Sequence, residues 1–167
     1  GFLDILQAMG VNVRIANHRT MSGEPVADIE VRTSDLRGIR VGGDTIPRAI
    51  DELPLVALMA TQAQGWTKIR DAAELRVKET DRIAATVEEL RKLGARIYAQ
   101  PDGFVVEGPT RLIGTDVDSH GDHRLAMMLT VAGLIADGET RIRGAECIAD
   151  SFPGFEQLLR DIGVELS

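Results

Sequence analysis

The sequence predicts an α+β fold built from a repeated βαβαββ unit, with the first copy cut short on its N-terminal side. Three observations predict it. Gly65-Trp66-Thr67-Lys68-Ile69-Arg70 returns as Gly138-Glu139-Thr140-Arg141-Ile142-Arg143, and Leu36-x-Gly38-x-x-Val41 returns as Leu112-x-Gly114-x-x-Val117. An amphipathic helix that ends in glycine and runs into a short strand recurs as LQAMGVNV (Leu6 to Val13), LRKLGARI (Leu90 to Ile97) and LRDIGVEL (Leu159 to Leu166). Glycine at that point is the expected residue just past a helix end, free to adopt the left-handed conformation. Finally, LPLVALMATQA (from Leu53) and LAMMLTVAGLIA (from Leu125) are apolar all round, which marks helices buried on most sides.

Taken in order, the chain reads as helix 2 to 9, strands near 11 to 17 and 26 to 32, and strand 38 to 42. Helix 51 to 64 follows, its Pro54 acceptable because it falls in the first turn. After strand 66 to 71, helix 80 to 93 carries an apolar stripe at Ile83, Val87 and Leu90, and strands 95 to 99 and 103 to 107 complete the unit. The next copy has strand 112 to 117, helix 122 to 136 with its stripe at Leu125, Leu129 and Ala132, strand 139 to 144, helix 152 to 162 and a last strand to Leu166. Because the chain begins at a helix, the first sheet lacks a leading strand, and an exposed edge open to association is expected.

Composition narrows the function. With 167 residues and 44% hydrophobic content the chain suits a single domain, 1 to 167, with a real core. One cysteine, Cys147, excludes an internal disulfide and reads as a buried small hydrophobe. The lack of a signal peptide or long apolar run reads as a soluble, cytosolic protein with no membrane partner. A net charge of -7 argues against nucleic acid, which needs a broad basic surface.

Locally the sign reverses. Glu74 to Arg82, ELRVKETDR, packs Arg76, Lys78 and Arg82 with three acids beside a helix start, and about forty residues on Gly121-Asp122-His123-Arg124 repeats the design. Helix N-termini offer unpaired N–H groups and the positive end of the dipole, so carboxylate or phosphate ligands suit such places. Simpler readings compete. Asp51 and Asp122 suit helix N-caps, and Glu79, Lys78 and Arg82 suit solvated ion pairs. His18 reads as exposed, His120 and His123 as too few for a metal site, and Met9, Met127 and Met128 as core filling. The charged positions gain weight from conjunction, since three helix starts in repeated units each carry charges that a plain cap would not need.

Four strings in order, IDELP (Ile50 to Pro54), ELRVKETDR, GDHRLAM (Gly121 to Met127) and SFPGF (Ser151 to Phe155), resemble the C-terminal part of the 5-enolpyruvylshikimate-3-phosphate synthase family. The resemblance covers essentially the whole chain and implies sheets outside buried parallel helices. It also implies most of one domain of two, with an N-terminal partner domain needed to complete the site. The implied reaction moves the enolpyruvyl group of phosphoenolpyruvate to the 5-hydroxyl of shikimate 3-phosphate and releases phosphate, with no cofactor and no metal. By the same resemblance Asp51 is the proton acceptor, Lys78 bridges the two substrates, and Glu79 handles the methylene proton. Arg82 and Arg124 clamp phosphoenolpyruvate, where a guanidinium fork fits better than an ammonium, and His123 supports them. Glu74 stands where some members have an asparagine on the shikimate phosphate side. Ile148 to Ser151 offers no cation where some members have a lysine, which leaves the response to the phosphoenolpyruvate mimic glyphosate open.

Two alternatives stand beside this reading. A UDP-N-acetylglucosamine enolpyruvyl transferase shares the fold and the chemistry, although the adjacent Lys78 and Glu79 favour the shikimate enzyme. A binding module is the other, since half a cleft binds an anion without catalysing anything.

Overall fold

The computed structural model describes residues 1–166. Its first element, α1 (Phe2–Ala8), leads into the hairpin β1 (Asn12–Met21) and β2 (Glu24–Arg32), followed by β3 (Arg40–Val41), α2 (Leu53–Thr61), β4 (Gly65–Ile69) and α3 (Arg82–Lys92). The chain goes on through β5 (Arg96–Gln100), β6 (Gly103–Gly108), β7 (Asp116–Asp118), α4 (His123–Ile135), β8 (Arg141–Arg143) and α5 (Phe155–Asp161). Short 3-10 turns fill the gaps, among them Ile50–Glu52 before α2 and Ala73–Val77 before α3.

The repeats map onto equivalent structures. β3 pairs in parallel with β4 across α2, and β7 pairs in parallel with β8 across α4. In each copy the conserved-spacing glycine makes the same close approach: a Cβ on Gly38 would run into the Trp66 carbonyl, and one on Gly114 into that of Glu139. Likewise α1, α3 and α5 end alike. Gly10, Gly94 and Gly163 adopt φ of +90°, +93° and +94°. The next residues, Val11, Ala95 and Val164, donate back to the carbonyls of Leu6, Leu90 and Leu159 at 3.0, 2.9 and 3.0 Å. These are the bonds of a Schellman stop.

β4, β6 and β5 complete a four-stranded sheet of order β3-β4-β6-β5, in which only the β3 edge is parallel. Its inner face contributes Ile69, Ile97, Phe104 and Val106 to the core, and Trp66 and Tyr98 stack on the outside with ring centroids 6.3 Å apart. Against the inner face lie α2, α3 and α4, each packed on the other two. α2 is buried on most sides, as its composition predicts, with Leu55 and Met59 partly buried. α4 buries Leu125, Ala126, Met128, Leu129 and Ala132 but leaves Leu134 and Ile135 about half exposed, so the expectation of burial on most sides holds only for its inner faces.

Other differences are local. β1 and β2 extend to Met21 and back to Glu24 because Ser22 and Gly23, at φ +52° and +86°, close a two-residue hairpin turn that the strand pattern alone did not reveal. The hairpin stands as a two-stranded sheet among the described residues, with Ile29 and Val31 exposed. The last strand to Leu166 is absent: Val164 to Leu166 find no strand to pair with among the described residues. Cys147 is half-buried rather than buried. Among the described residues no helix is long and apolar enough to cross a membrane.

Candidate functional site

The three central helices run the same way, and their N-terminal ends meet at Arg82, the first residue of α3. Arg82 is 1% exposed, which for an unpaired guanidinium would be prohibitive. It is enclosed by carboxylates. Its Nε donates to Asp122 Oδ2 at 2.7 Å, Nη1 to Asp51 Oδ1 at 2.9 Å and Nη2 to Glu79 Oε2 at 2.6 Å. Burial works against its charge, but hydrogen bonding to Asp122, the negative charges of Asp122 and Glu79, and the bond to Asp51 hold its pKa above the ordinary arginine value.

Asp51 is not the N-cap that its position suggested. It lies in the 3-10 turn ahead of α2 and makes no side-chain cap bond. Instead its carboxylate faces Arg82 on one oxygen and Arg124 Nη2, 3.3 Å away, on the other, with Lys78 Nζ at 4.0 Å. The reason is long-range: α3 and α4 deliver two cations to that spot, and a carboxylate is better satisfied by them than by an amide.

Asp122 does cap its helix, accepting from the amides of Arg124 at 2.9 Å and Leu125 at 3.3 Å. The cap is half its role, because this fully buried side chain is also the main counter-ion of Arg82. A sequence reading that treats it as a cap alone misses a site residue. The signal available was that GDHR and VKETDR both abut helix starts in repeated units.

Around this hub, the 3-10 turn Ala73–Val77 and the residues after it supply the remaining groups. Lys78 Nζ lies 2.5 Å from Glu74 Oε1, and this bond raises the lysine pKa. Arg76, by contrast, is committed to structure: it donates to the carbonyls of Pro101 and Gln100 and to Asp81 Oδ2, each at 2.7 Å. Asp81 in turn caps α3 through the Ala84 amide at 3.0 Å. His123 opens α4, half-buried beside Arg124. The structure therefore brings Asp51, Lys78, Glu79, Arg82 and Arg124 together, with Glu74 joined through Lys78, and leaves Arg76 outside the cluster. Chemically the patch combines carboxylates, an ammonium and two guanidiniums at helix N-termini.

One group elsewhere has metal-ligand character, Glu88, Glu89 and His120, whose ligand atoms lie within 4.8 Å of one another. The Lys92 ammonium bonds both carboxylates, at 3.3 and 2.7 Å, and already supplies the cation there.

The sequence profile of EPSP synthase (3-phosphoshikimate 1-carboxyvinyltransferase) matches residues 1–159. The chain belongs to the EPSP synthase family. It is 55% identical to the 3-phosphoshikimate 1-carboxyvinyltransferase of Geobacter sulfurreducens over 98% of its own length and 38% of that protein's. With the enzyme of the same name from Brevibacillus brevis it shares 53% identity over 95% of this chain and 37% of the relative. Among solved structures, EPSP synthase from Acinetobacter baumannii superposes with a TM-score of 0.91 at 39% identity, covering 95% of this chain and 38% of that one. The enolpyruvyl transferase NikO from Streptomyces tendae follows with a TM-score of 0.72 at 27% identity, covering 98% of this chain and 35% of that one. The chain thus spans little more than a third of the EPSP synthase family proteins it matches, and it has their mixed helix and strand fold.

Proposed function

We propose that this chain is the C-terminal part of an enzyme that transfers the enolpyruvyl group of phosphoenolpyruvate to the 5-hydroxyl of shikimate 3-phosphate. The observation that carries the reading is the convergence of Asp51, Lys78, Arg82 and Arg124 at the aligned N-termini of three helices, in a chain of this family. Asp51 takes the proton of the attacking hydroxyl as its oxygen bonds to C2 of phosphoenolpyruvate, while a proton is delivered to C3. Elimination reverses the C3 protonation, and phosphate departs from C2. Glu79 handles the C3 proton, and Lys78 lies between the two anions and steadies the charge that develops.

Arg124, whose guanidinium is about a third exposed, grips the phosphoenolpyruvate carboxylate or phosphate with its fork, and Arg82 backs it from within. His123 supports Arg124, and Glu74 faces the shikimate 3-phosphate side through Lys78. The remaining contacts come from an N-terminal domain that closes over this face and excludes water. Release of inorganic phosphate by the complete enzyme carrying this sequence tests the proposal. Release that requires both substrates is expected, and release with UDP-N-acetylglucosamine in place of shikimate 3-phosphate would overturn it.

A further inference from the structure

α3 carries a buried polar stripe, Arg82, Thr86 and Glu89, at the i, i+4, i+7 spacing of one helix face. Arg82 and Glu89 lie roughly 10 Å apart along the axis by helical rise, and they hold the two ends of the same short turn. At one end Arg82 binds Asp122. At the other, Glu89 accepts the Asp118 amide at 3.0 Å on one oxygen and meets His120 Nε2 at 2.7 Å on the other.

The turn they bracket, Asp118 to Asp122, joins β7 to α4 and is tightly specified. His120 adopts φ +54° and Gly121 φ +71°, so a non-glycine residue is held in the left-handed region. The His120 amide donates to Asp118 Oδ1 at 2.7 Å, and the Asp122 amide to the Ser119 carbonyl at 2.9 Å. Charge balance alone does not require the His120 contact, because Lys92 neutralises Glu89 at 2.7 Å. What Lys92 does not do is reach the turn. Burial opposes the charge of Glu89, yet hydrogen bonds from Lys92, the Asp118 amide and His120 keep its pKa below the ordinary carboxylate value, so it is an acceptor at neutral pH.

We propose that Glu89 is a positioning residue: through His120 and the Asp118 amide it fixes the turn that delivers Asp122 and Arg124, and so sets the spacing of Arg124 from Arg82. The proposal rests on the reading of Arg124 as the grip on phosphoenolpyruvate, with the buried Arg82 behind it. A guanidinium fork that grips one small anion against a fixed, buried neighbour tolerates little error in its placement.

The test uses the complete enzyme carrying this sequence, with Glu89→Gln, His120→Asn and, as a control, the exposed Glu88→Gln. Asparagine enters the left-handed region readily, so His120→Asn removes the Glu89 contact without adding backbone strain, and it serves if Glu89→Gln fails to fold. Both variants are expected to raise the KM for phosphoenolpyruvate about tenfold or more, to leave that for shikimate 3-phosphate within about twofold, and to speed hydrogen exchange across residues 119–125. Glu88→Gln is expected to change neither constant. Two constants rising together with a loss of thermal stability, or no change in a folded variant, would overturn the proposal. If the wild-type enzyme shows no turnover, the functional reading fails by itself and exchange decides this one: unaltered protection of residues 119–125 in both variants would sink it.

Discussion

The Nε of Arg82 lies 2.7 Å from Oδ2 of Asp122, and neither side chain reaches solvent, at 1% and 0% exposure. This pair ties the start of α3 to the start of α4, and Asp51 and Glu79 accept the remaining hydrogen bonds of the guanidinium. A buried charge stripped of its partner is expensive, so the pair holds the site together whatever it contributes on balance to folding.

Asp122→Ala is therefore expected to cost about 1–3 kcal/mol for the buried Nε–H left without an acceptor, with Asp51 and Glu79 still pairing the two Nη groups, plus about 0.5–2 kcal/mol for the lost cap. Asp122→Asn keeps the cap and should cost less. Urea denaturation of both variants measures the difference; a cost within about 1 kcal/mol for Asp122→Ala would reduce Asp122 to the simple cap its position in the sequence suggests.

Glu89 gives the fold an acid-sensitive point. Its folded pKa lies below the ordinary 4.5, so the stability it contributes is fully present above that value and is lost as pH falls through the folded pKa. Wild-type protein should lose stability below about pH 4.5 faster than Glu89→Gln does. Urea midpoints measured from pH 6 down to pH 3 check this, and parallel curves would contradict it.

Much of the fold was legible because its signals are local. The three helix ends at Gly10, Gly94 and Gly163 and the paired glycines Gly38 and Gly114 are each dictated by a few adjacent residues, and the structure repeats them bond for bond. The misreadings have non-local causes. Asp51 looks like a cap until α3 and α4 bring Arg82 and Arg124 to it, and Arg76 looks like a free cation until the β5–β6 turn offers it two carbonyls. Val164 to Leu166 have the composition of a strand without a neighbour to pair with among the described residues. The candidate site was legible as a set of residues; its internal pairing was not, because pairing is a property of three helix ends meeting.

The chain by itself is expected to show no synthase activity, since on the proposed reading half of the contacts and the closure that excludes water belong to another domain. Phosphate release that depends on both substrates, from preparations free of full-length enzyme, would contradict this. Activity restored by mixing with the matching N-terminal half would support it.

In the complete enzyme, Lys78→Glu places a carboxylate between two anionic substrates beside Asp51 and Glu74, and is expected to abolish turnover. A variant that retains wild-type kcat would return Lys78 to the role of a solvated ion pair.

The most direct test of the central claim, that the helix-start cluster is a phosphoenolpyruvate site, is steady-state kinetics of Arg124→Lys with each substrate varied in turn. Lysine keeps the charge and loses the fork. A raised KM for phosphoenolpyruvate with the KM for shikimate 3-phosphate little changed is the predicted result; wild-type constants for both substrates would contradict the account.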